Sequence, residues 1–209
     1  RDGLVTGVQT CALPIFTNPT FVRTLDTLAY NGKTLHLLAL LSDGGVHAHI
    51  YHLKAAIKMA SDRGISRICI HVFSDGRDVA PKSALEYIEQ LNHFLHDHPN
   101  AAIVSIIGRY FALDRDNRWE RVSKAYHLIC GGMAEHQADS ALAAVEDAYA
   151  RGETDEFIAP TTIGEGVRME DGDALIFVNY RSDRVRQISR AFIQPDFDDF
   201  ERQCKVSLS

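Results

Sequence analysis

The sequence predicts an α/β fold in which a mostly parallel sheet carries helices on both faces, as a three-layer sandwich. Three observations support this prediction: helical and strand-like segments alternate along the chain, the strand-like segments are apolar throughout, and no internal repeat or Pro/Gly/Ser-rich linker interrupts the alternation. Apolar strands separated by helices are typical of a parallel sheet that is covered on both faces. We therefore expect one domain over residues 17–203.

The first helix and strand follow from spacing and turn residues. Phe21, Leu25 and Leu28 recur at helical spacing and predict a helix over 19–30, before an apolar run at 35–41 that predicts the first strand. Further helices are predicted at 49–63, 83–96, 119–129, 140–150 and 183–192. Further strands or extended segments are predicted at 67–73, 102–107, 156–163 and 174–178, with a turn-rich or hairpin segment at 164–172.

Composition excludes several classes of function. The 209 residues include 22 Lys and Arg against 28 Asp and Glu, a net charge of −6, so the chain lacks the broad positive field that nucleic-acid binding needs. The longest apolar run, 35–41 with one His inside it, is far shorter than the roughly 20 residues that span a bilayer. Four cysteines without metal-ligand spacing indicate a reducing compartment. We expect a cytoplasmic protein that binds neither nucleic acid nor membrane.

The first 16 residues are predicted to be foreign to the protein. Residues 5–15 resemble the translation of a sequencing adapter, so we treat 1–16 as an artefact at the start of an assembled fragment. A signal peptide is the alternative, but Thr6, Gly7 and Gln9 interrupt the apolar region that it requires. A short native strand is the other alternative.

Four polar segments directly follow four of the predicted strands, at 42–49, 74–78, 108–116 and 179–184. In a parallel sheet they emerge at one edge, where ligands of open α/β sheets bind. They contain the arginines Arg77, Arg109, Arg115, Arg181 and Arg184. Guanidinium groups bind carboxylate or phosphate through two parallel hydrogen bonds. The sequence thus predicts a site for a small anion at this edge.

Aspartates are interleaved with these arginines. They are Asp43, Asp75, Asp78, Asp114, Asp116 and Asp183. Such carboxylates either hold the arginines in place or accept a proton from a bound hydroxyl. A single Arg beside an Asp is more often a surface ion pair than part of a site, but four such loops at one edge favour a site.

The histidines at 47, 49 and 52 leave a metal site open as an alternative. Their H-x-H-x-x-H spacing suggests zinc, although no further ligand is identifiable and the following segment is predicted to be helical. A zinc hydrolase on His47, His49 and His52 is therefore one competing hypothesis. No dinucleotide-binding, Walker-type or nucleophile-elbow motif is present in the sequence.

Five motifs together resemble the cofactor-independent phosphoglycerate mutases, over residues 18–202. The motifs are LLSDGGVHAH (40–49), DGRD (75–78), GRYFALDRDNRW (108–119), DEFIAPT (155–161) and NYRSDRVRQ (179–187). The resemblance implies interconversion of 3-phosphoglycerate and 2-phosphoglycerate in glycolysis through a phosphoserine intermediate. In that family an alkaline-phosphatase-like domain carries the serine and two manganese ions, and an inserted phosphotransferase domain binds the glycerate moiety. This sequence resembles the inserted domain only.

The resemblance also implies roles for particular residues. Those that match the family's substrate contacts are His47, Arg77, Asp78, Arg109, Arg115, Arg181 and Arg184. Asp78 is the catalytic candidate, as an acid/base on the glycerate hydroxyl. No metal ligand and no cofactor is expected in this chain, because the manganese ions would belong to the missing domain.

The resemblance finally implies a division of the chain. Residues 17–203 would form the phosphotransferase domain, and 204–209 would begin the return to the alkaline-phosphatase-like domain, its partner in the same protein. The chain alone would then be inactive, because the nucleophilic serine lies elsewhere. A non-catalytic module that binds a phosphorylated acid is the main competing hypothesis.

Overall fold

The computed structural model describes residues 17–209, which are built around one six-stranded sheet. The α-helices of this part are α1 (Pro19–Asn31), α2 (Ile50–Asp62), α3 (Ala84–Leu95), α4 (Arg109–Ala112), α5 (Trp119–Gly131), α6 (Ala141–Ala150) and α7 (Arg186–Ile193). The strands are β1 (Leu35–Leu41), β2 (Ile68–Ser74), β3 (Ala101–Gly108), β4 (His136–Ala138), β5 (Thr161–Ile163) and β6 (Ala174–Phe177). A 3-10 turn covers Asp155–Phe157. The expectation about 1–16 concerns residues outside the described ones.

The strand order in the sheet is β4-β5-β3-β2-β1-β6. β1 pairs in parallel with β2 and β6, and β2 pairs in parallel with β3. β5 runs antiparallel to β3 and parallel to β4. The four mutually parallel strands, β1, β2, β3 and β6, therefore end at one edge of the sheet, which we call the carboxyl edge. Its loops begin at Ser42, Asp75, Arg109 and Val178.

Helices cover both faces of the sheet. Leu35, Leu37 and Ala39 of β1 pack in one core with α1, α2, α3 and α6. Leu38 and Leu40 of the same strand pack in a second core with α5 and α7. Successive side chains of a strand point to opposite faces, so an apolar strand serves two cores. The predicted three-layer α/β sandwich is confirmed.

Capping residues explain where the predicted helices begin and end. The Asn18 side chain accepts hydrogen bonds from the backbone N–H groups of Thr20 and Phe21, and Gly32 ends α1 with φ +65°. The Ser140 hydroxyl oxygen accepts from the N–H of Ala143 at the start of α6. The predicted helices at 19–30 and 140–150 are confirmed.

Two predicted elements differ from the structure. The extended segment expected at 156–163 is a strand only over Thr161–Ile163, because a 3-10 turn takes up its first residues. The helix expected at 183–192 begins at Arg186, because residues before it form a turn in which the N–H of Val185 donates to the carbonyl of Ser182. Within residues 17–209, no helix combines the length and apolar character that crossing a membrane requires.

Candidate active site

The loops after β1, β2 and β3 are tied together by a buried aspartate. The Ser42 hydroxyl donates to Oδ2 of Asp75 at 2.6 Å, and the Arg109 guanidinium donates from NH1 to Oδ1 of Asp75, also at 2.6 Å. Asp75 is 2% exposed and Arg109 4%. Burial disfavours the charged form of Arg109, but Asp78 and Asp75 outweigh burial and raise the pKa of its guanidinium. The pair is a buried, charged framework at the carboxyl edge.

The candidate acid/base Asp78 lies at the open side of this framework. Its Oδ2 accepts a second hydrogen bond from Arg109 NH1 at 2.7 Å and lies 4.0 Å from Nε2 of His47. The other ring nitrogen of His47, Nδ1, lies 3.9 Å from Oδ1 of Asp183. Burial and the nearby Arg109 lower the pKa of His47, although Asp78 and Asp183 oppose the shift. The lowered pKa favours the neutral imidazole of His47 beside Asp78.

Two predicted arginines lie at the rim of the site. Arg115 NH1 is 3.0 Å from Oδ2 of Asp183, and Arg181 Nε is 3.0 Å from Oδ1 of the same carboxylate. The side chains of Arg115 and Arg181 are 48% and 50% exposed, so each of these ion pairs contributes little to stability. Both guanidinium groups are accessible to an incoming anion.

The remaining two predicted arginines differ in their surroundings. Arg77 is exposed, and its NH1 lies 3.6 Å from Oε1 of Glu156. Arg184 is half-buried and donates from NH1 to the carbonyl of Leu113 at 3.2 Å. Burial and the positive charges of other arginines, Arg115 first, lower the pKa of Arg184. Arg184 thus lies in a cationic environment that a bound anion would relieve.

Several buried polar atoms around the site make no hydrogen bond. Within residues 17–209 they include Nδ1 of His47, Nδ2 and Oδ1 of Asn179, Nε of Arg184 and Oε1 of Gln187. Buried polar groups normally have partners, so such a concentration indicates a place for a ligand or ordered water. Asn179 and Gln187 were not among the predicted site residues, although both belong to the NYRSDRVRQ motif.

A segment after α6 supports two of the loops from outside. The Ser74 hydroxyl donates to the carbonyl of Asp155 at 2.7 Å, which brings residues 155–158 across the ends of β2 and β3. A Cβ at Gly108 would overlap the carbonyl group of Glu156, and one at Gly76 would lie 2.8 Å from the Glu156 nitrogen. The two glycines therefore allow a close backbone approach that fixes the loops of Arg77 and Arg109.

The three histidines of the zinc hypothesis do not converge. His47 faces Asp78 and Asp183, whereas the His49 ring accepts the N–H of Tyr51 and caps α2, and the His52 ring packs 5.6 Å from that of Tyr180. In the part of the chain that the structure describes, no group of three or more His, Cys, Asp or Glu side chains is placed to hold a metal ion. The described residues therefore fit neither zinc nor the manganese ions of the resemblance.

Comparisons with known proteins agree with the loop motifs. A family model described as BPG-independent PGAM N-terminus matches residues 12–209. A 2,3-bisphosphoglycerate-independent phosphoglycerate mutase of Hydrogenovibrio crunogenus is 55% identical over 197 residues, which cover 92% of this chain and 37% of the relative. A protein of the same name from Thiobacillus denitrificans is 53% identical over 192 residues, 90% of this chain and 37% of its own length.

A solved structure gives the same result. The phosphoglycerate mutase of Leishmania mexicana, studied at low cobalt concentration, superimposes with a TM-score of 0.88 at 32% identity, over 96% of this chain and 40% of that one. The chain thus spans somewhat more than a third of the length of the relatives that it matches. The resemblance drawn from the motifs is confirmed, and the chain belongs to the BPG-independent phosphoglycerate mutase family.

Proposed function

We propose that this chain is part of an isomerase that interconverts 2-phosphoglycerate and 3-phosphoglycerate in glycolysis, and that its carboxyl edge binds the glycerate moiety. One observation carries the proposal: Asp78 lies between His47 and Arg109 at an edge that also presents four more arginines. A substrate with a carboxylate, a phosphate and a hydroxyl needs several fixed cations beside a group that exchanges protons.

The arginines at the rim bind the charged groups of the substrate. Arg115 and Arg181 are accessible and share one carboxylate, Asp183, so an anion can bind their free N–H groups without breaking a buried contact. Arg184 adds a half-buried cation without a carboxylate partner in the described residues. Planar guanidinium groups match carboxylate and phosphate oxygens in pairs, and this geometry orients the substrate as well as attracting it.

Asp78 carries the proton that the interconversion moves. One hydroxyl of the glycerate must lose a proton when it takes up the phosphoryl group, and the other must gain one when it releases it. Within residues 17–209 Asp78 uses Oδ2 for Arg109 and makes no hydrogen bond through Oδ1, so Oδ1 is free to receive and return that proton. This is general acid/base catalysis by a positioned carboxylate.

The rest of the chemistry is assigned to the unmatched part of the relatives. The phosphoserine nucleophile and the two manganese ions are expected in the alkaline-phosphatase-like domain, and this chain supplies the substrate-binding half of the cleft. Alone it should bind phosphoglycerate only at about millimolar concentration, equivalent to roughly −4 kcal/mol, because part of the cleft is missing.

A domain replacement tests this proposal. In what we call the joined mutase, residues 18–203 of this chain replace the matching residues of the Hydrogenovibrio crunogenus relative. We expect phosphoglycerate interconversion by the joined mutase and none by this chain alone. A folded but inactive joined mutase would contradict the assignment and favour a binding module. Metal-dependent turnover by this chain alone, or submicromolar binding measured by calorimetry, would show that the site is complete without a second domain.

A further inference from the structure

Asp75 is almost fully buried, and its carboxylate accepts four hydrogen bonds. Its Oδ2 accepts from Ser42, and its Oδ1 accepts from Arg109 NH1 and from the backbone N–H groups of Arg77 at 3.2 Å and Asp78 at 3.0 Å. At 2% exposure it lies beneath the carboxyl edge, not in its opening. Asp75 therefore joins three of the site's loops through one carboxylate.

The surroundings of Asp75 favour its charged, carboxylate form. Burial would raise the pKa of this carboxyl, but the N–H of Asp78, the Ser42 hydroxyl and Arg109 together hold the pKa of Asp75 below its ordinary value. Hydrogen bonds that an Asp carboxylate accepts from the N–H groups two and three residues later define a tight turn. This turn sets the direction in which the Asp78 side chain leaves the backbone.

Arg109 connects the two aspartates through a single nitrogen. NH1 donates to Asp75 at 2.6 Å and to Asp78 at 2.7 Å. The side chain of Asp75 is 1% exposed, whereas that of Asp78 is 16% exposed, so only Asp78 can exchange this contact for a substrate group. Asp75 is a fixed partner for Arg109 and prevents the guanidinium from moving fully onto Asp78.

We propose that Asp75 is a positioning residue for the reaction: it fixes the turn and the guanidinium between which the Asp78 carboxylate is presented to the glycerate hydroxyl. The inference rests on the proposed function and deepens it. Asp75 does not touch the substrate, so it acts only through Asp78 and Arg109. Its loss should reduce the rate of the chemical step more than the affinity for substrate, which the rim arginines supply.

The test is a double-substitution cycle in the joined mutase. Asp75→Asn keeps the shape and removes the charge. We expect kcat to fall on the order of 100-fold, the effect of a small misplacement of a reacting group, while KM changes by less than about threefold. In the Asp78→Asn background, Asp75→Asn should cost less than about threefold, because the residue through which it acts is already disabled.

A matched control uses an aspartate of another ion pair. Asp62 lies on α2, is exposed and pairs with Lys58 at 2.8 Å, so Asp62→Asn should leave both kcat and KM at their unsubstituted values. If thermal unfolding shows that Asp75→Asn does not fold, the same cycle is made with Ser42→Ala, which removes one of the four hydrogen bonds to Asp75. A several-fold loss of kcat that vanishes in the Asp78→Asn background is then the expected result.

The possible outcomes separate the two claims. An inactive unsubstituted joined mutase removes the proposed function and this inference together. An active one in which Asp75→Asn has normal kcat, or in which the losses from Asp75→Asn and Asp78→Asn multiply, overturns the positioning role alone. A rise in KM without a fall in kcat also overturns it, because Asp75 would then serve substrate binding.

Discussion

The molecule contains two networks of buried polar side chains, one between the strands in the interior of the sheet and one at its carboxyl edge. Only the network at the carboxyl edge has the features of a binding site. The interior network runs from Asp173 through His36 and His71 to Ser105, with 3.0 Å between the two imidazoles and 2.7 Å from His71 Nδ1 to the Ser105 hydroxyl. All four residues are 2% exposed or less. The network at the carboxyl edge contains Asp75, Arg109, Asp78 and His47 and opens towards exposed arginines.

The difference lies in how many atoms each network leaves without a partner and in what lies beside them. In the interior, one such atom is present, His36 Nε2, which lies 3.4 Å from Asp173 without a hydrogen bond. The Asp173 carboxylate accepts the N–H groups of Thr34 and Glu170, and no member of this network reaches the surface. At the edge, polar atoms of several residues make no hydrogen bond. Burial of polar groups therefore does not by itself indicate a site. Buried polar groups without partners beside exposed cations do.

The largest expected effect concerns Asp78, the proposed acid/base at the carboxyl edge. Asp78→Asn in the joined mutase keeps the shape and most hydrogen bonding but removes the basic oxygen, so turnover should fall by about 100-fold to 10,000-fold. KM should stay close to its unsubstituted value, because the arginines that we propose bind the substrate are intact. Steady-state kinetics in both directions measure this. Near-normal turnover would remove Asp78 from the catalytic role.

Next in size is a substitution beneath the edge that affects stability. Gly108→Ala places a Cβ against the Glu156 carbonyl, so the segment at 155–158 must move away from the strand ends. Overpacking of this kind costs about 1–3 kcal/mol of the free energy of unfolding, and backbone overlap favours the upper end. Urea unfolding of this chain measures this loss of stability. The control is Ala102→Ser, at an exposed position of β3. Its free energy of unfolding should lie within about 0.5 kcal/mol of that of the unsubstituted chain. An equally small change for Gly108→Ala would show that the segment does not support the loops.

The interior network should make the fold sensitive to acid. Burial lowers the pKa of His36 to about 4, against the opposing charge of Asp173, and burial lowers that of His71 well below 6.5. The unfolded chain binds these protons more readily, so the stabilisation is complete above pH 6.5 and decreases as the pH falls towards 4. The free energy of unfolding should drop by about 2 kcal/mol for His36 between pH 7 and pH 5.

Urea unfolding at the two pH values tests this dependence. A free energy of unfolding that is constant between pH 7 and pH 5 would show that the imidazoles of the interior network are protonated at no cost in the folded state.

The sequence was sufficient for the helices and central strands but not for the contacts between loops. Helices with clear caps, such as the one that Ser140 begins, and strands that are apolar on both faces have local signals. The four-residue helix α4 and the three-residue strand β4 are too short for periodicity to show. The antiparallel pairing of β5 has no local signal either.

The candidate site shows the same limit. The five arginines could be assigned to one edge, because each follows a strand. The hydrogen bond between Asp75 and Arg109 could not be predicted, because it depends on the register that places Ser74 opposite Gly108. Asp75 was included among six loop aspartates without a distinct role, and only the distances distinguish it from the others. The residue that we propose as a positioning residue is therefore distinguished only by the structure, whereas the arginines that we propose as ligand contacts are already indicated by the sequence.

The smallest expected effect lies at the exposed rim, where the arginines have no counterpart in the interior network. Arg181→Lys keeps the positive charge beside Asp183 but replaces a planar, two-pronged donor by a single ammonium group. KM of the joined mutase should rise by several-fold up to about tenfold, equivalent to roughly 1 kcal/mol, while kcat changes little. Lys58→Arg on α2 is the matched control, because it exchanges the same two cations in a surface ion pair away from the edge. An unchanged KM for Arg181→Lys would mean that this arginine serves the Asp183 carboxylate and not the substrate. The exposed cations would then be an ordinary charged surface, and only the larger number of buried atoms without partners would distinguish the carboxyl edge from the interior network.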